Sequence, residues 1–202
     1  MITIPAPTVR PQQRRWRFDV SDYVRLYESG FIPEEARTEL VEGEIRIMAP
    51  IGPEHGSTVN TLHRLFVQRI GARAFVSSQS SLRLNDRTML QPDAALLRPD
   101  PNDYFDRYPE AADVLLVVEV AQSSLRYDRN RKVPLYARTG IPEVWILAIA
   151  EHRLEVYREP AGDHYASVVS LAVGNRVAPL AWPDVVLDVG EILRARSHDA
   201  PA

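Results

Sequence analysis

The stretch that decides the fold is "LLVVEVAQSSLRYDRNRKVPLYARTGIPEVWIL", residues 115–147. Two apolar runs enclose a polar segment with helical spacing. We predict a strand at 113–121, a helix at 127–138 that ends before Gly140, and a second strand at 143–149. A strand, a helix and a second buried strand form a crossover unit, whose strands are parallel with a right-handed connection. The stretch therefore favours an α/β fold.

Glu119 is a carboxylate inside the first apolar run. Such a run is typical of a strand buried on both faces, where an unpaired carboxylate costs several kcal/mol, roughly. Either a positively charged side chain or a bound ion must therefore compensate Glu119.

The remaining pattern predicts further elements on both sides of this unit. These are a helix at 20–29 with Ser21 as N-cap, two short strands in 39–48, a helix at 57–70, strands at 72–84 and 89–97 that form a hairpin, and an antiparallel meander after residue 150. Together they predict a mixed β-sheet flanked by helices, with an added antiparallel meander. We expect one domain at 16–195, between a flexible arm at 1–15 and a flexible tail at 196–202.

Composition excludes several classes of protein. The 202 residues are 45% hydrophobic and 25% charged, which is typical of a globular domain. The sequence has no cysteine, so thiolate metal sites and cysteine nucleophiles are absent. No apolar stretch approaches the ~18 residues of a membrane span, and we expect a cytoplasmic protein without a membrane partner. A net charge of -3 gives no global attraction to nucleic acid.

Two carboxylates on neighbouring strands indicate a metal site. Asp93 precedes the apolar run "AALL", and Glu119 lies near the end of "VLLVV". Paired carboxylates repel each other unless a hard cation such as Mg²⁺ lies between them. The following helix presents Asp128, Lys132 and Tyr136 on one face at intervals of four residues. Lys132 would orient a metal-bound water or stabilise charge on a phosphoryl group.

Ordinary explanations stay open for each of these residues. Asp128 and Lys132 suit a simple helix salt bridge, Asp93 suits a turn at a strand entry, and His55 suits a cap or a hydrogen bond. None of the five histidines forms a zinc signature, and the sequence holds no phosphate loop or nucleotide fingerprint, so no nucleotide cofactor is expected.

At these positions the sequence resembles a known family. The segments "ELVEGEIRIMAP", "PEHG", "QPDAALLRPD", residues 115–147 and "LEVYREP" are similar to the Uma family (Uma-two) of bacterial endonucleases, within the PD-(D/E)xK nuclease superfamily. The resemblance runs from Phe18 to Leu193. It implies a restriction-endonuclease-like core in which Asp93, Glu119 and the Val120 carbonyl bind the metal.

The resemblance also implies roles beyond the metal. The superfamily lysine falls at Ala121, which makes Lys132 the candidate for its role. Glu39 and His55 match family positions near the cleft. The chain departs from the family pattern at Gln122 and Ala148 as well.

The function that this implies is a Mg²⁺- or Mn²⁺-dependent endonuclease acting on DNA. Two alternatives remain: a catalytically silent module that binds nucleic acid or protein on the same fold, which the acidic balance favours, and a metalloenzyme for small molecules. We expect a homodimer that pairs through residues 157–169. Arg126, Arg129 and Arg131 would then lie beside the clefts and bind DNA.

Overall fold

The computed structural model describes residues 16–194. The arm predicted at 1–15 and the tail predicted at 196–202 lie outside these residues. Within the described range, no helix is long and apolar enough to cross a membrane.

Five α-helices and twelve strands make up the described chain. The helices are α1 (Val20–Glu28), α2 (Pro53–Ile70), α3 (Leu125–Tyr127), α4 (Val133–Arg138) and α5 (Val189–Leu193), with a π-helical turn at Asp128–Lys132 joining α3 to α4. The strands are β1 (Thr38–Val41), β2 (Glu44–Ile47), β3 (Phe75–Ser77), β4 (Leu82–Asn85), β5 (Thr88–Leu90), β6 (Ala94–Leu97), β7 (Val114–Ala121), β8 (Glu143–Ala148), β9 (Arg153–Ala161), β10 (His164–Ala172), β11 (Arg176–Val177) and β12 (Leu187–Asp188).

A six-stranded mixed sheet forms the centre, in the order β10-β9-β8-β7-β6-β3. Strands β7 and β8 are parallel, and every other pair in this sheet is antiparallel. The crossover predicted from residues 115–147 is therefore confirmed in its strand direction. The mixed sheet with helices and an antiparallel extension confirms the predicted fold class.

The two faces of the central sheet bury different helices. On one face, alternate side chains of β6, β7 and β8 pack against α2 and α5. On the other face, the intervening side chains pack against α4. A separate four-stranded sheet, β2-β1-β5-β4, packs against α1. Because side chains alternate along a strand, Glu119 shares its face with Val117 and Ala121, under α4.

The antiparallel pairing predicted for 72–84 and 89–97 is confirmed, since β3 pairs with β6 and β4 with β5, but each predicted strand divides between two sheets. Strands β3 and β6 belong to the central sheet, whereas β4 and β5 belong to the smaller one. Gln79 adopts φ 50, which breaks the first run. Pro92 has no N–H to donate to a strand ladder, and it separates β5 from β6.

Helix starts also differ from the predictions. Asp19, and not Ser21, is the N-cap of α1, where it forms a capping box with Asp22. Helix α2 begins at Pro53, since proline suits a first helical position. The helix after β7 begins at Leu125 and includes a π-helical turn that its sequence spacing does not reveal.

Candidate active site

Two neighbouring strand ends bring Asp93 and Glu119 together. Strands β6 and β7 are antiparallel partners with Ala94 opposite Val118, so Asp93 precedes β6 beside the position of Glu119. The Val120 amide donates a hydrogen bond to Asp93 Oδ2 over 2.8 Å. This contact fixes the Asp93 carboxylate against β7. It also shows that Val120 meets Asp93 through its amide, whereas the resemblance assigns its carbonyl to the metal.

Lys132 and Tyr136 approach Glu119 from the helix above the sheet. Lys132 Nζ lies 3.2 Å from each Glu119 oxygen, and the Tyr136 hydroxyl donates to Glu119 Oε1 over 2.5 Å. The π-helical turn ends in a bond from the Val133 amide to the Asp128 carbonyl. Such turns are rare and occur often at functional sites. The face of Asp128, Lys132 and Tyr136 predicted from spacing is thus turned towards the site.

Glu39 holds Lys132 from the other side. Glu39 Oε1 lies 2.9 Å from Lys132 Nζ and also accepts a hydrogen bond from the Gln91 amide. Asp128 accepts instead from the Ser124 hydroxyl over 2.6 Å. Lys132 therefore bridges two strands, one in each sheet, and is more than the partner of a simple helix salt bridge.

Carboxyl groups outnumber basic groups in this cluster. The buried groups are four carboxylates and one ammonium, namely Glu39, Asp93, Glu119, Asp128 and Lys132. Burial raises the pKa of Glu119 well above its usual range, and the Lys132 ammonium offsets only part of that rise. Burial lowers the pKa of Lys132, but the carboxylates of Glu119 and Glu39 outweigh it and the net shift is upward. Lys132 is therefore charged, and the surrounding carboxyl groups are available as oxygen ligands for a cation.

His55 completes the surroundings of Asp93. It lies in the first turn of α2, and its Nε2 is 3.2 Å from Asp93 Oδ2. The Gln79 side-chain amide reaches Asp93 Oδ1 at 3.4 Å. Three elements of the fold thus fix one carboxylate, which is the arrangement expected of a group that must be held in place for binding.

A cavity of about 300 Å³ is lined by Glu39, His55, Asp93, Glu119, Asp128 and Lys132. The described residues contain three buried side-chain nitrogen or oxygen atoms without a hydrogen-bond partner: Arg37 Nη2, His55 Nδ1 and the Tyr127 hydroxyl oxygen. All three residues line this cavity. Buried polar atoms without partners are rare in folded proteins, and they indicate an absent water, ion or ligand.

The site predicted from the sequence lacks three residues that line the cavity, namely Arg37, Arg46 and Tyr127. Arg37 is two positions before Glu39, and side chains two apart in a strand lie on the same side. Arg46 is the cross-strand partner of Glu39. Alternation along the predicted strands at 39–48 was the signal that could have placed Arg46 beside Glu39, whereas Arg37 precedes those strands.

The three arginines expected to bind DNA do not line the cavity. Arg129 forms ion pairs with Glu151 and Glu155, and Arg131 forms one with Glu42. Arg126 is exposed on α3. The ion pairs arise because neighbouring strands and the β1–β2 turn present carboxylates to this helix, which sequence spacing cannot show.

The residues fit a hard divalent cation. The available ligands are carboxyl oxygens of buried residues, and His55, whose Nδ1 is buried without a partner, lines the same cavity. Across residues 16–194, no three His, Asp or Glu side chains are grouped closely enough to hold a metal between them. Mg²⁺ typically takes one or two carboxylates and keeps several waters, so Asp93 and Glu119 suffice for it.

Comparison with known proteins identifies the fold and the family. A crystal structure of a "putative nuclease belonging to DUF820" from Anabaena variabilis ATCC 29413 matches with a TM-score of 0.71 and 14% identity, over 88% of this chain and 98% of that one. That similarity shows the fold. No curated protein matches the chain. The family model of Uma2, described as "Putative restriction endonuclease", matches residues 20–190, and the chain therefore belongs to the Uma2 family.

Proposed function

We propose that the protein is a Mg²⁺-dependent endonuclease that hydrolyses phosphodiester bonds of DNA, with Mn²⁺ as an alternative ion. The observation that carries the proposal is the convergence of Asp93, Glu119 and Lys132 at one cavity. Membership of the Uma2 family supports the nuclease class.

Asp93 and Glu119 would hold the ion, which supplies a Lewis acid and lowers the pKa of water. The chain itself supplies positioning and charge. The Val120 amide and His55 orient Asp93, while Tyr136 orients Glu119. The Lys132 ammonium places a positive charge beside the reacting phosphate, where negative charge increases during the reaction.

The test is nicking of supercoiled plasmid in Mg²⁺ or Mn²⁺. We expect wild type to nick, and Asp93→Asn and Lys132→Met to lose at least about 100-fold in rate. Calorimetric titration with Mn²⁺ should show binding to the Lys132 variant and not to the Asp93 variant. Of these two residues, Asp93 is a metal ligand and Lys132 is not. Arg176→Gln, at an exposed position on β11, is the matched control. Equal nicking by every variant would reveal a contaminating nuclease and contradict the proposal.

A silent binding module is the second candidate. The observation that favours it is that Lys132 already pairs with Glu119 and Glu39, so the buried charge is partly satisfied without an ion. Salt-sensitive DNA binding without nicking by wild type would support this second function.

Of the three arginines outside the cavity that were expected to bind DNA, Arg126 is the best candidate. The structure gives this exposed side chain no carboxylate partner among residues 16–194, whereas Arg129 and Arg131 would have to leave their ion pairs. We therefore propose that Arg126 binds the DNA backbone and that Arg129 and Arg131 contribute less.

We also propose a homodimer in the cytoplasm. Strand β10 is an edge of the central sheet, and its Val168 and Val169 are 55% and 48% exposed. An exposed apolar edge is a template for pairing with a second copy. Analytical ultracentrifugation of wild type and Val168→Lys tests this: we expect a dimer and a monomer, respectively, and a monomeric wild type would contradict the proposal.

A further inference from the structure

A second group of side chains lines the cavity together with the carboxylates and has no role in holding the metal. This group, the donor rim, consists of Arg37, Arg46 and Tyr127. Glu39 lies in β1, and Arg37 lies two residues earlier, just before the strand begins. Arg46 is opposite Glu39 on β2. The β1–β2 hairpin therefore presents both guanidinium groups to the same side as Glu39.

The donor rim has hydrogen-bond donors to spare. Arg37 Nη1 donates to the Ala49 carbonyl, but Arg37 Nη2 is buried without a partner. The Tyr127 hydroxyl is also buried without a partner. Arg46 stacks on the Tyr127 ring, with its guanidinium carbon 4.7 Å from the ring centre. Stacking orients the guanidinium and leaves its N–H groups free for another ligand.

Neither arginine of the rim is neutralised by a carboxylate. Glu39, the nearest candidate, is engaged by Lys132 at 2.9 Å. Over residues 16–194 no ion pair of Arg37 or Arg46 is formed, whereas Arg129, Arg131 and other surface arginines do form them. The unpartnered Arg37 Nη2, the Arg46 guanidinium and the unpartnered Tyr127 hydroxyl are together suited to binding an oxyanion.

We propose that Arg37, Arg46 and Tyr127 form a phosphate-binding subsite that holds a backbone phosphodiester of DNA at the mouth of the cavity. The inference rests on the proposed function for the nature of the ligand. Arginine is suited to this contact because its planar fork donates to two phosphate oxygens at once. The subsite would position the strand over the carboxylates without reading its sequence.

The test is DNA binding measured separately from cleavage. A short fluorescein-labelled DNA duplex is titrated with protein in EDTA, and the anisotropy is recorded at several salt concentrations. We expect Arg37→Gln and Arg46→Gln each to weaken binding by about three- to tenfold and to lower the slope of log affinity against log salt by about 0.9. Tyr127→Phe removes one uncharged donor and should weaken binding without changing the slope.

The controls separate a binding role from a structural one. Arg176→Gln should change neither affinity nor slope, and thermal denaturation identifies any variant that fails to fold. Arg37→Lys keeps the charge and should recover the slope but not the full affinity, because lysine is not a fork. If Arg46→Gln lowers stability and leaves the slope at the wild-type value, the arginine merely neutralises the carboxylates and the inference is wrong.

Two further outcomes keep this inference separate from the proposed function. Binding that depends on both arginines, in a wild type that never nicks plasmid, would support the subsite and overturn the nuclease. Nicking that survives in both arginine variants with unchanged binding would overturn the subsite alone. Competition with inorganic phosphate and with a deoxynucleoside monophosphate identifies the source: arginine-dependent binding of these compounds but not of the duplex would overturn a DNA ligand.

Discussion

Glu119 and Glu143 are two buried glutamates on the parallel strands β7 and β8, yet their surroundings differ. Both lie in apolar runs, and their residues are 3% and 0% exposed. Glu143 accepts hydrogen bonds from the Trp145 indole, the Arg158 guanidinium and the Leu180 amide. It lies on the α2 side of the sheet with Trp145, whereas Glu119 lies under α4.

The two glutamates differ in whether a cavity adjoins them: Glu119 lines the cavity and Glu143 does not. Donors from three residues engage both oxygens of Glu143, so it stabilises the fold. Lys132 lies 3.2 Å from each oxygen of Glu119, and the Tyr136 hydroxyl donates to Oε1 over 2.5 Å. Burial of a carboxylate alone therefore does not identify a site. The combination of burial and an adjacent cavity does.

The largest effect on stability is expected from Glu143→Ala. The change leaves the Trp145 and Leu180 donors unsatisfied and removes the partner of Arg158. Breaking a buried ion pair in this way should lower the free energy of unfolding by about 3–5 kcal/mol. Urea denaturation measures it, with Asp163→Ala, an exposed carboxylate in the β9–β10 turn, as the control. A loss below about 1 kcal/mol would show that Glu143 does not stabilise the fold as described.

A smaller effect is expected from Tyr136→Phe, which removes one donor to Glu119. The free energy of unfolding should fall by about 1–3 kcal/mol, because a buried carboxylate loses a hydrogen bond. Nicking should fall as well, because Glu119 is no longer held in its orientation.

Tyr165→Phe is the matched control for this loss. Its hydroxyl is equally a buried donor, but it bonds to the Ile141 carbonyl away from the cavity. We expect comparable destabilisation with unchanged nicking. Equal loss of nicking in both tyrosine variants would mean that activity follows stability and that Tyr136 has no specific role.

The smallest effect on stability is expected from removing the partner of a third glutamate in the central sheet. This glutamate, Glu155, pairs with Arg129. Burial raises the pKa of Glu155, but hydrogen bonds from Arg129 and Tyr157 outweigh it and the pKa is lowered. A lowered pKa contributes stability above the unfolded value of about 4.3, and that stability is lost as the pH falls through the folded value.

Arg129→Gln should therefore lower the free energy of unfolding by about 1 kcal/mol at neutral pH, a small value because the arginine is partly exposed. Urea denaturation at several pH values should show the difference from wild type vanishing below the folded pKa of Glu155. Nicking should not change. A difference that persists in acid would indicate that Arg129 acts through packing instead of charge.

Local patterns were sufficient to predict the crossover and part of the site. Alternation and apolar runs placed Asp93 and Glu119 on neighbouring strands, and spacing of four placed Lys132 and Tyr136 on one helix face. These predictions depend on residues that are close in sequence or on one sheet rule, and the structure places Asp93, Glu119 and Lys132 around one cavity.

Other features depend on partners that sequence spacing cannot supply. Glu143 resembles an exposed strand start, and its burial depends on Arg158 and on the Leu180 amide, 37 residues away. The division of the strands at Gln79 and Pro92 between two sheets depends on how the sheets pack. Arg37 and Arg46 form no ion pair among residues 16–194, because Glu39 pairs with Lys132 instead. That ion pair joins the two sheets.

The most direct test of the account compares nicking by Glu119→Gln and Glu143→Gln, at a temperature where circular dichroism shows both variants folded. The account predicts that Glu119→Gln is reduced at least about 100-fold in Mg²⁺-dependent nicking per folded molecule. It predicts that Glu143→Gln, although less stable, nicks at the wild-type rate. Wild-type nicking by Glu119→Gln, or loss of nicking by the folded Glu143 variant, would contradict the assignment of Glu119 to chemistry and of Glu143 to structure.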